Sequence, residues 1–397
     1  MLPNIQLEFK TAYGELKIDV GTGRNDVKLI GICGTSGVGK TTFAKALFNE
    51  FPDEFEGSSF LADVREISKQ HLGFVQLLET LLIDMLGDNN LKVCNIHRGI
   101  NIIKERLCNK GVLLILDDVD ELDQLETLAG GHEWFVLGSR TIITTRNKHL
   151  LTTHGTDEIY EVRLLDHRRA AELFSWNAFK TEKHEKDYLE LSNRIERYAG
   201  GLPLALEILA SFLCGRTEQQ WQSAIHNLEK KPNKKLYQIL KISYDALQDD
   251  EKALFLDIAC FFVGKEVNYA IKVLGTSNLC PIIGIGVLTD LSLINIENNR
   301  LRMHNLTEEV GKEIVHQESS EAGKRSRLWS PDDVFHVFSE NTGTYMIEGI
   351  MLKLPEQRTV HLNAKSFKKM RRLRLLIFSG NNVVLSTATE YLPNELR

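Results

Sequence analysis

Val27-Lys28-Leu29-Ile30-Gly31-Ile32-Cys33-Gly34-Thr35-Ser36-Gly37-Val38-Gly39-Lys40-Thr41-Thr42 decides the fold. Its first seven residues form a short, β-branched apolar run, and Phe43-Ala44-Lys45-Ala46-Leu47-Phe48 behind it carries a helical pattern. The order is strand, glycine loop, helix. The spacing satisfies G-x-x-x-x-G-K-[ST], the P-loop, in which glycines let consecutive backbone N–H groups turn inward onto phosphate oxygens. Gly34, Gly37 and Gly39 supply that freedom. Lys40 is placed to reach the β and γ phosphates and the Thr41 hydroxyl to hold Mg²⁺, while the helix N-terminus adds its partial positive charge. Gly34, Thr35, Ser36, Gly37, Val38, Gly39, Lys40, Thr41 and Thr42 are therefore the candidate nucleotide-binding segment. A glycine turn without a ligand is the bland alternative, and the strand and helix on either side disfavour it.

Downstream, Val112-Leu113-Leu114-Ile115-Leu116 is apolar throughout, as a central parallel strand should be, and ends in Asp117-Asp118. Ligands in open α/β sheets sit at the carboxyl ends of strands, so Asp117 should face the same crevice as Lys40. Asp117 is the candidate outer Mg²⁺ ligand, and Asp118 the candidate catalytic residue that orients a water. Ile100, Ile103 and Leu107 before this strand recur at helical spacing, with Gly111 placed to end the helix. A third strand, Thr141-Ile142-Ile143-Thr144-Thr145, ends in Arg146, which is placed to sense a γ-phosphate. Asn147-Lys148 resembles the start of a guanine-reading N-K-x-D motif, but Leu150 stands where the Asp belongs, which disfavours GTP.

The chain has 397 residues, enough for two or three domains, and 43% hydrophobic with 26% charged residues is a globular balance. A net charge of −6 gives no global footprint for nucleic acid. The six cysteines form no CxxC pair and read as buried thiols in a reducing compartment. The N-terminus lacks the form of a secretory signal, and no span approaches the roughly 20 apolar residues of a membrane helix. A cytoplasmic location is expected, with nuclear entry left open. The twelve histidines make no zinc-binding pattern.

Beyond Asp166 the pattern turns helical, with Ala170, Leu173, Phe174 and Ala178 on one face and a second helix through Leu189, Ile195 and Tyr198. Gly200-Gly201 should stop that helix, and Pro203 fits the first turn of the next. The ordered motifs Gly34–Thr42, Phe60–Glu66, Leu114–Asp120, Gly138–Arg146, Gly201–Leu204, Leu254–Phe262 and Met303–Leu306 resemble the NB-ARC core of plant intracellular immune receptors with leucine-rich repeats. Asp120 at its position favours the subclass that carries an N-terminal TIR domain.

The resemblance implies a doubly wound parallel α/β P-loop NTPase domain at 25–164, a helical domain at 165–235 and a winged-helix domain at 236–330. A degenerate linker precedes them at 1–24. A connector with the first leucine-rich-repeat-like segment, Met370, Leu373, Leu375 and Phe378, follows at 331–397. It further implies an ADP/ATP switch in plant defence, resting with ADP and signalling with ATP, with slow Mg²⁺-dependent hydrolysis at most. By the same likeness Pro203 packs near the base and ribose and His304 contacts the ADP β-phosphate. Other receptor chains, or a second copy, are the expected partners.

Three departures from the family pattern shape the expectations. The family's Met-His-Asp ends here as Met303-His304-Asn305. Asn305 should still cap the helix through Asn305-Leu306-Thr307-Glu308, but loss of the carboxylate is expected to weaken the ADP lock and favour the open state. A TIR domain is not expected within these residues, and with it no NAD cleavage. Phe9–Leu16 lacks the Val-Gly element that helps enclose adenine, and the repeats barely begin before Pro393–Arg397. These departures keep an alternative open, a non-cycling interaction module that pairs with full-length receptors. The basic run Lys365–Arg374 reads as the solvated side of a first repeat in preference to a nuclear signal or nucleic-acid patch, and Leu254–Phe262 is too apolar for a DNA-recognition helix.

Overall fold

The computed structural model describes residues 26–51, 54–179, 188–228, 232–275, 279–352 and 367–378, and the backbone of 360–362 and 383–385. The expectations for 1–24, including Phe9–Leu16, and for Pro393–Arg397 fall outside these residues. The chain divides into two compact units, one built on residues up to Leu165 and one on residues from Asp166.

The first unit is a five-stranded parallel sheet in the order β2-β3-β4-β1-β5. Its elements run β1 (Lys28–Cys33), α1 (Lys40–Glu50), β2 (Gly57–Leu61), α2 (Val64–Ser68), α3 (Gly73–Leu86) and α4 (Ile96–Leu107). They continue as β3 (Val112–Val119), α5 (Leu122–Leu128), β4 (Arg140–Thr145), α6 (Lys148–His154) and β5 (Glu158–Glu161). Because side chains alternate along a strand, β3 feeds two cores. Leu114 and Leu116 pack with Leu77, Leu78 and Leu81 of α3 on one face. Leu113 and Ile115 pack with Phe43, Ala44 and Leu47 of α1 on the other. A sheet covered on both faces needs strands apolar on both sides, which is why β3 reads as a continuous hydrophobic run.

Two details differ from the sequence reading. β3 does not stop at Leu116 but continues through Asp117 and Asp118 to Val119, with a register shift against β4 between Leu116 and Val119. Gly111 does not end α4, which closes at Leu107 with Cys108 as its cap; the Gly111 carbonyl instead accepts a hydrogen bond from Glu56 N–H.

The second unit opens with α7 (His167–Phe179), α8 (Leu189–Ala199), α9 (Pro203–Leu213) and α10 (Glu218–Leu228). Their centre is Trp221, 1% exposed, with Phe174, Phe179 and Tyr188 rings at 5.9, 5.6 and 4.9 Å and its indole N–H donating to the Leu213 carbonyl. Then come α11 (Lys234–Asp245), α12 (Asp249–Asp257), a wide buried turn Ile258–Phe262, α13 (Val267–Leu274) and α14 (Pro281–Asp290). The hairpin β6 (Asn295–Glu297) and β7 (Arg300–Arg302) leads into α15 (Asn305–Glu318). Asn298 and Asn299 both adopt positive φ, 50° and 60°, the conformation a two-residue hairpin turn demands.

The rest is β8 (Arg327–Leu328), α16 (Pro331–Ser339), β9 (Gly349–Leu352), β10 (Val360–Leu362), β11 (Leu375–Phe378) and β12 (Val383–Leu385). β8, β9 and β11 form a parallel ladder, and β10 pairs in parallel with β12. Across 367–374 the basic run has Phe367, Met370 and Leu373 buried and Lys368, Lys369, Arg371 and Arg372 exposed, but Arg374 departs from a solvated side: it is 13% exposed and turned inward onto Asp257 and Glu348. The cysteine expectation is corrected: Cys33 and Cys260 are buried, but Cys94, Cys108, Cys214 and Cys280 are exposed, since each lies on a loop or a helix end. Among the described residues no helix is long and apolar enough to cross a membrane.

Candidate functional site

The carboxyl ends of β1, β3 and β4 meet at one edge of the parallel sheet, where the strand order lets connections leave in both directions. β1 ends at Cys33, the loop turns, and α1 starts at Lys40 with Gly39 at its cap, φ 101°. A side chain at Gly39 would meet no steric obstacle within 4 Å, so the positive φ alone explains the glycine. The loop and strand ends enclose a polar cleft of about 230 Å³. Ser36, Gly37, Gly39, Lys40, Thr41, Asp118 and Arg146 line it together with Asp63 and Thr144.

Lys40 is 8% exposed, and its ammonium donates to the carbonyls of Gly34 at 2.8 Å and Thr35 at 3.0 Å. Among the described residues it forms no ion pair within 4 Å. Burial pushes its pKa down to about 8, neighbouring Arg146 pushes the same way, and Asp118 and Asp117 pull back. A buried cation that can be neutralised at modest pH lacks a full counter-charge, which is the condition an anionic phosphate satisfies.

Asp117 is 2% exposed and is held from two sides. The Thr41 hydroxyl donates to its two oxygens at 2.9 and 3.0 Å, and the Thr144 hydroxyl donates at 2.6 Å. Burial raises the Asp117 pKa, and these two hydroxyls oppose the rise. Thr144 also accepts from Asp118 N–H at 2.9 Å, so one threonine holds the Asp117 carboxylate and the Asp118 backbone. Asp118 sits at φ 56°, and its carboxylate is paired with Arg146 at 3.2 Å and Arg65 at 3.0 Å. The half-buried Thr41 and buried Asp117 offer hard oxygen donors beside the lysine, a set that fits a divalent cation next to phosphate.

Most residues expected from sequence converge in this unit. Thr35 contributes its carbonyl to Lys40 and accepts from Val38 N–H, whereas Thr42 points to the exposed side of α1. Thr144, Asp63 and Arg65 were not among the expected site residues. A threonine pair closing an otherwise apolar strand, in Thr141–Thr145, was the available signal for Thr144, because buried hydroxyls need partners. Arg65 and Asp63 left none beyond their place in the Phe60–Glu66 motif.

Pro203 and His304 belong to the second unit, Pro203 in the first turn of α9. His304, not Asn305, caps α15: its Nδ1 accepts from Leu306 N–H at 3.2 Å, and its Nε2 lies 3.2 Å from the Gly200 carbonyl, to which it donates. Burial lowers the His304 pKa, while the Gly200 and Ala199 carbonyls act in the opposite direction. Asn305 occupies the first helical position and its amide donates to the Tyr198 carbonyl. Gly200, at φ 59°, allows this approach: a Cβ there would lie 2.5 Å from Asn305 Oδ1 and 2.7 Å from His304 Nε2.

The NB-ARC domain family model matches residues 17–184, and the winged-helix domain of Disease resistance protein Roq1-like proteins matches residues 248–319. Disease resistance protein RPV1 of Vitis rotundifolia is 40% identical over 362 residues, 90% of this chain and 26% of that protein. Disease resistance protein RUN1 of the same organism is 41% identical over 354 residues, 89% of this chain and 26% of that protein. TMV resistance protein N of Nicotiana glutinosa is 38% identical over 383 residues, 94% and 33% respectively. The chain thus spans about a quarter to a third of the length of these relatives. With a P-loop sheet, a winged-helix domain and homology along about nine tenths of its length, the chain carries the NB-ARC and Roq1-like winged-helix domains, a nucleotide-binding module whose homologues are plant disease resistance proteins.

Proposed function

We propose that this chain is the ADP/ATP switch of a plant immune receptor, resting with ADP, signalling with ATP and reset by slow hydrolysis. The observation that carries the reading is Lys40, a buried cation bonded to backbone carbonyls at the mouth of a cleft that also holds Thr41, Asp118 and Arg146. In this reading Lys40 and the loop N–H groups bind the phosphates, Arg146 distinguishes a third phosphate from two, and Thr41 and Asp117 hold Mg²⁺. Bound magnesium neutralises phosphate charge. Asp118 holds the attacking water. Pro203 and His304 are proposed nucleotide contacts on the family resemblance. The domain limits 25–164, 165–235 and 236–330 and a cytoplasmic location belong to the same proposal, with other receptor chains or a second copy as partners on activation. Parallel stacking of Gly349 on Leu375 and Val360 on Val383 supports reading the last segment as the start of a repeat array.

The test is to denature the purified chain and identify what it releases. ADP near one per chain supports the switch. An empty protein overturns it in favour of a non-cycling interaction module, and guanine nucleotide overturns the choice of base.

Asn305 gives a second measurement. We propose that it weakens the hold on ADP, so Asn305→Asp should slow ADP release. The same change removes the donor to the Tyr198 carbonyl and should lower unfolding stability by about 1 kcal/mol, because an unmade buried hydrogen bond costs roughly that much. An unchanged release rate sinks the ADP assignment, and an unchanged urea midpoint sinks the packing argument.

A further inference from the structure

Asp118 stands between two arginines of different standing. Arg146, at the end of β4, lines the cleft; Arg65, on α2, pairs with Asp118 Oδ2 from outside the set of lining residues. Among the described residues these two supply the ion pairs of the Asp118 carboxylate. Side-chain exposure is 14% for Arg65, 16% for Arg146 and 22% for Asp118, so the cluster is largely withdrawn from water. Backbone geometry fixes the carboxylate further, since Asp118 is in the left-handed region and its N–H is held by Thr144.

That arrangement creates a conflict for any anion entering the cleft. Arg146 Nη2 already reaches both oxygens of Asp118, at 3.2 and 3.3 Å. Turning Arg146 toward a phosphate therefore withdraws a counter-charge from a mostly buried carboxylate, and leaving such a charge unpaired is costly. A second arginine already in contact removes the conflict.

We propose that Arg65 is a positioning residue for recognition of the third phosphate: it keeps Asp118 paired when Arg146 turns from Asp118 to the γ-phosphate. The proposal rests on the switch reading above and adds a residue and a hand-over to it. Arg65 does not touch nucleotide. It sets how freely Arg146 moves, and so the ratio of triphosphate to diphosphate affinity. A lysine in its place keeps the charge but not the planar guanidinium, and should act partially.

The experiment uses the full chain freed of nucleotide, with Mg²⁺, and measures Kd for ADP and for the slowly hydrolysed thio analogue of ATP. Arg65→Gln should leave ADP affinity within about twofold and weaken the triphosphate about tenfold, the scale of one charged hydrogen bond. Arg65→Lys should fall between. Adding Asp118→Asn to Arg65→Gln removes the carboxylate that traps Arg146 and should return the ratio toward the parent value. Equal weakening of both nucleotides by Arg65→Gln, or failure of Asp118→Asn to restore the ratio, overturns the assignment. A parent chain that binds neither nucleotide overturns the switch reading along with it; a parent that binds both while Arg65→Gln leaves the ratio unchanged overturns this assignment alone.

Discussion

Replacing Asp257 with alanine should lower the stability of the second unit by about 3–5 kcal/mol, the scale measured when one partner of a buried ion pair is removed. Asp257 ends α12 and its side chain is 0% exposed. Arg327 Nε donates to it at 2.8 Å, and Arg374 Nη2 lies 2.8 Å from its other oxygen. Glu348 completes the set, 3.7 Å from Arg327 and 3.5 Å from Arg374. Two positive and two negative groups thus join the end of α12 to the starts of β8, β9 and β11. Without Asp257, Glu348, 29% exposed, is the one carboxylate among the described residues left within 4 Å of both Arg327, 3% exposed, and Arg374. Urea unfolding of Asp257→Ala against the parent measures the loss. The loss should be non-additive: changing Asp257 to Leu and Arg327 to Met together should cost less than Asp257→Ala alone, because no unpaired charge is then left at that pair. A double change whose cost equals the sum of its parts would show that the charges do not act as a set.

The network also marks a limit of the sequence. Leu254–Phe262 reads as core from composition, and its residues are buried. Asp257 within that run signals a buried charge, but its partners lie 70 and 117 positions away, a separation that periodicity cannot reach. By contrast the P-loop sheet was legible because each step of it is local: a β-branched run, glycines at fixed spacing, then a helix pattern. Asp117 and Arg146 were legible because strand ends in a parallel sheet share one edge. Arg65 was not, since nothing local says that the helix after β2 reaches the end of β3. The Asn305 cap failed for a specific reason. Asn is a good capping residue, but the preceding His304 has an imidazole nitrogen able to take the same role, and Asn305 is drawn instead to the Tyr198 carbonyl. Local propensity was right about a helix start there and wrong by one residue about which side chain makes it.

Lys40→Ala is expected to abolish nucleotide retention, and the pH dependence of the parent supplies an independent check on why. In the unfolded chain the amine titrates near 10.4, whereas burial brings it to about 8 in the folded chain without nucleotide. Between these values the unfolded chain holds the extra proton, so the contribution of Lys40 to the stability of the nucleotide-free protein rises with pH across that window and is least favourable below it. Phosphate reverses the preference by supplying the missing counter-charge and keeping the bound amine protonated. Affinity for nucleotide should therefore be flat below about pH 8 and fall above it, approaching one decade per pH unit, with proton uptake on binding. Titration calorimetry in buffers of different ionisation enthalpy reads that proton directly. Lys40→Arg, whose charge does not titrate in this range, should bind without the decline if it binds at all, and Lys40→Ala should show neither retention nor uptake. A parent affinity that stays level from pH 7 to about 10, or an alanine variant that still releases nucleotide on denaturation, would remove Lys40 from the site.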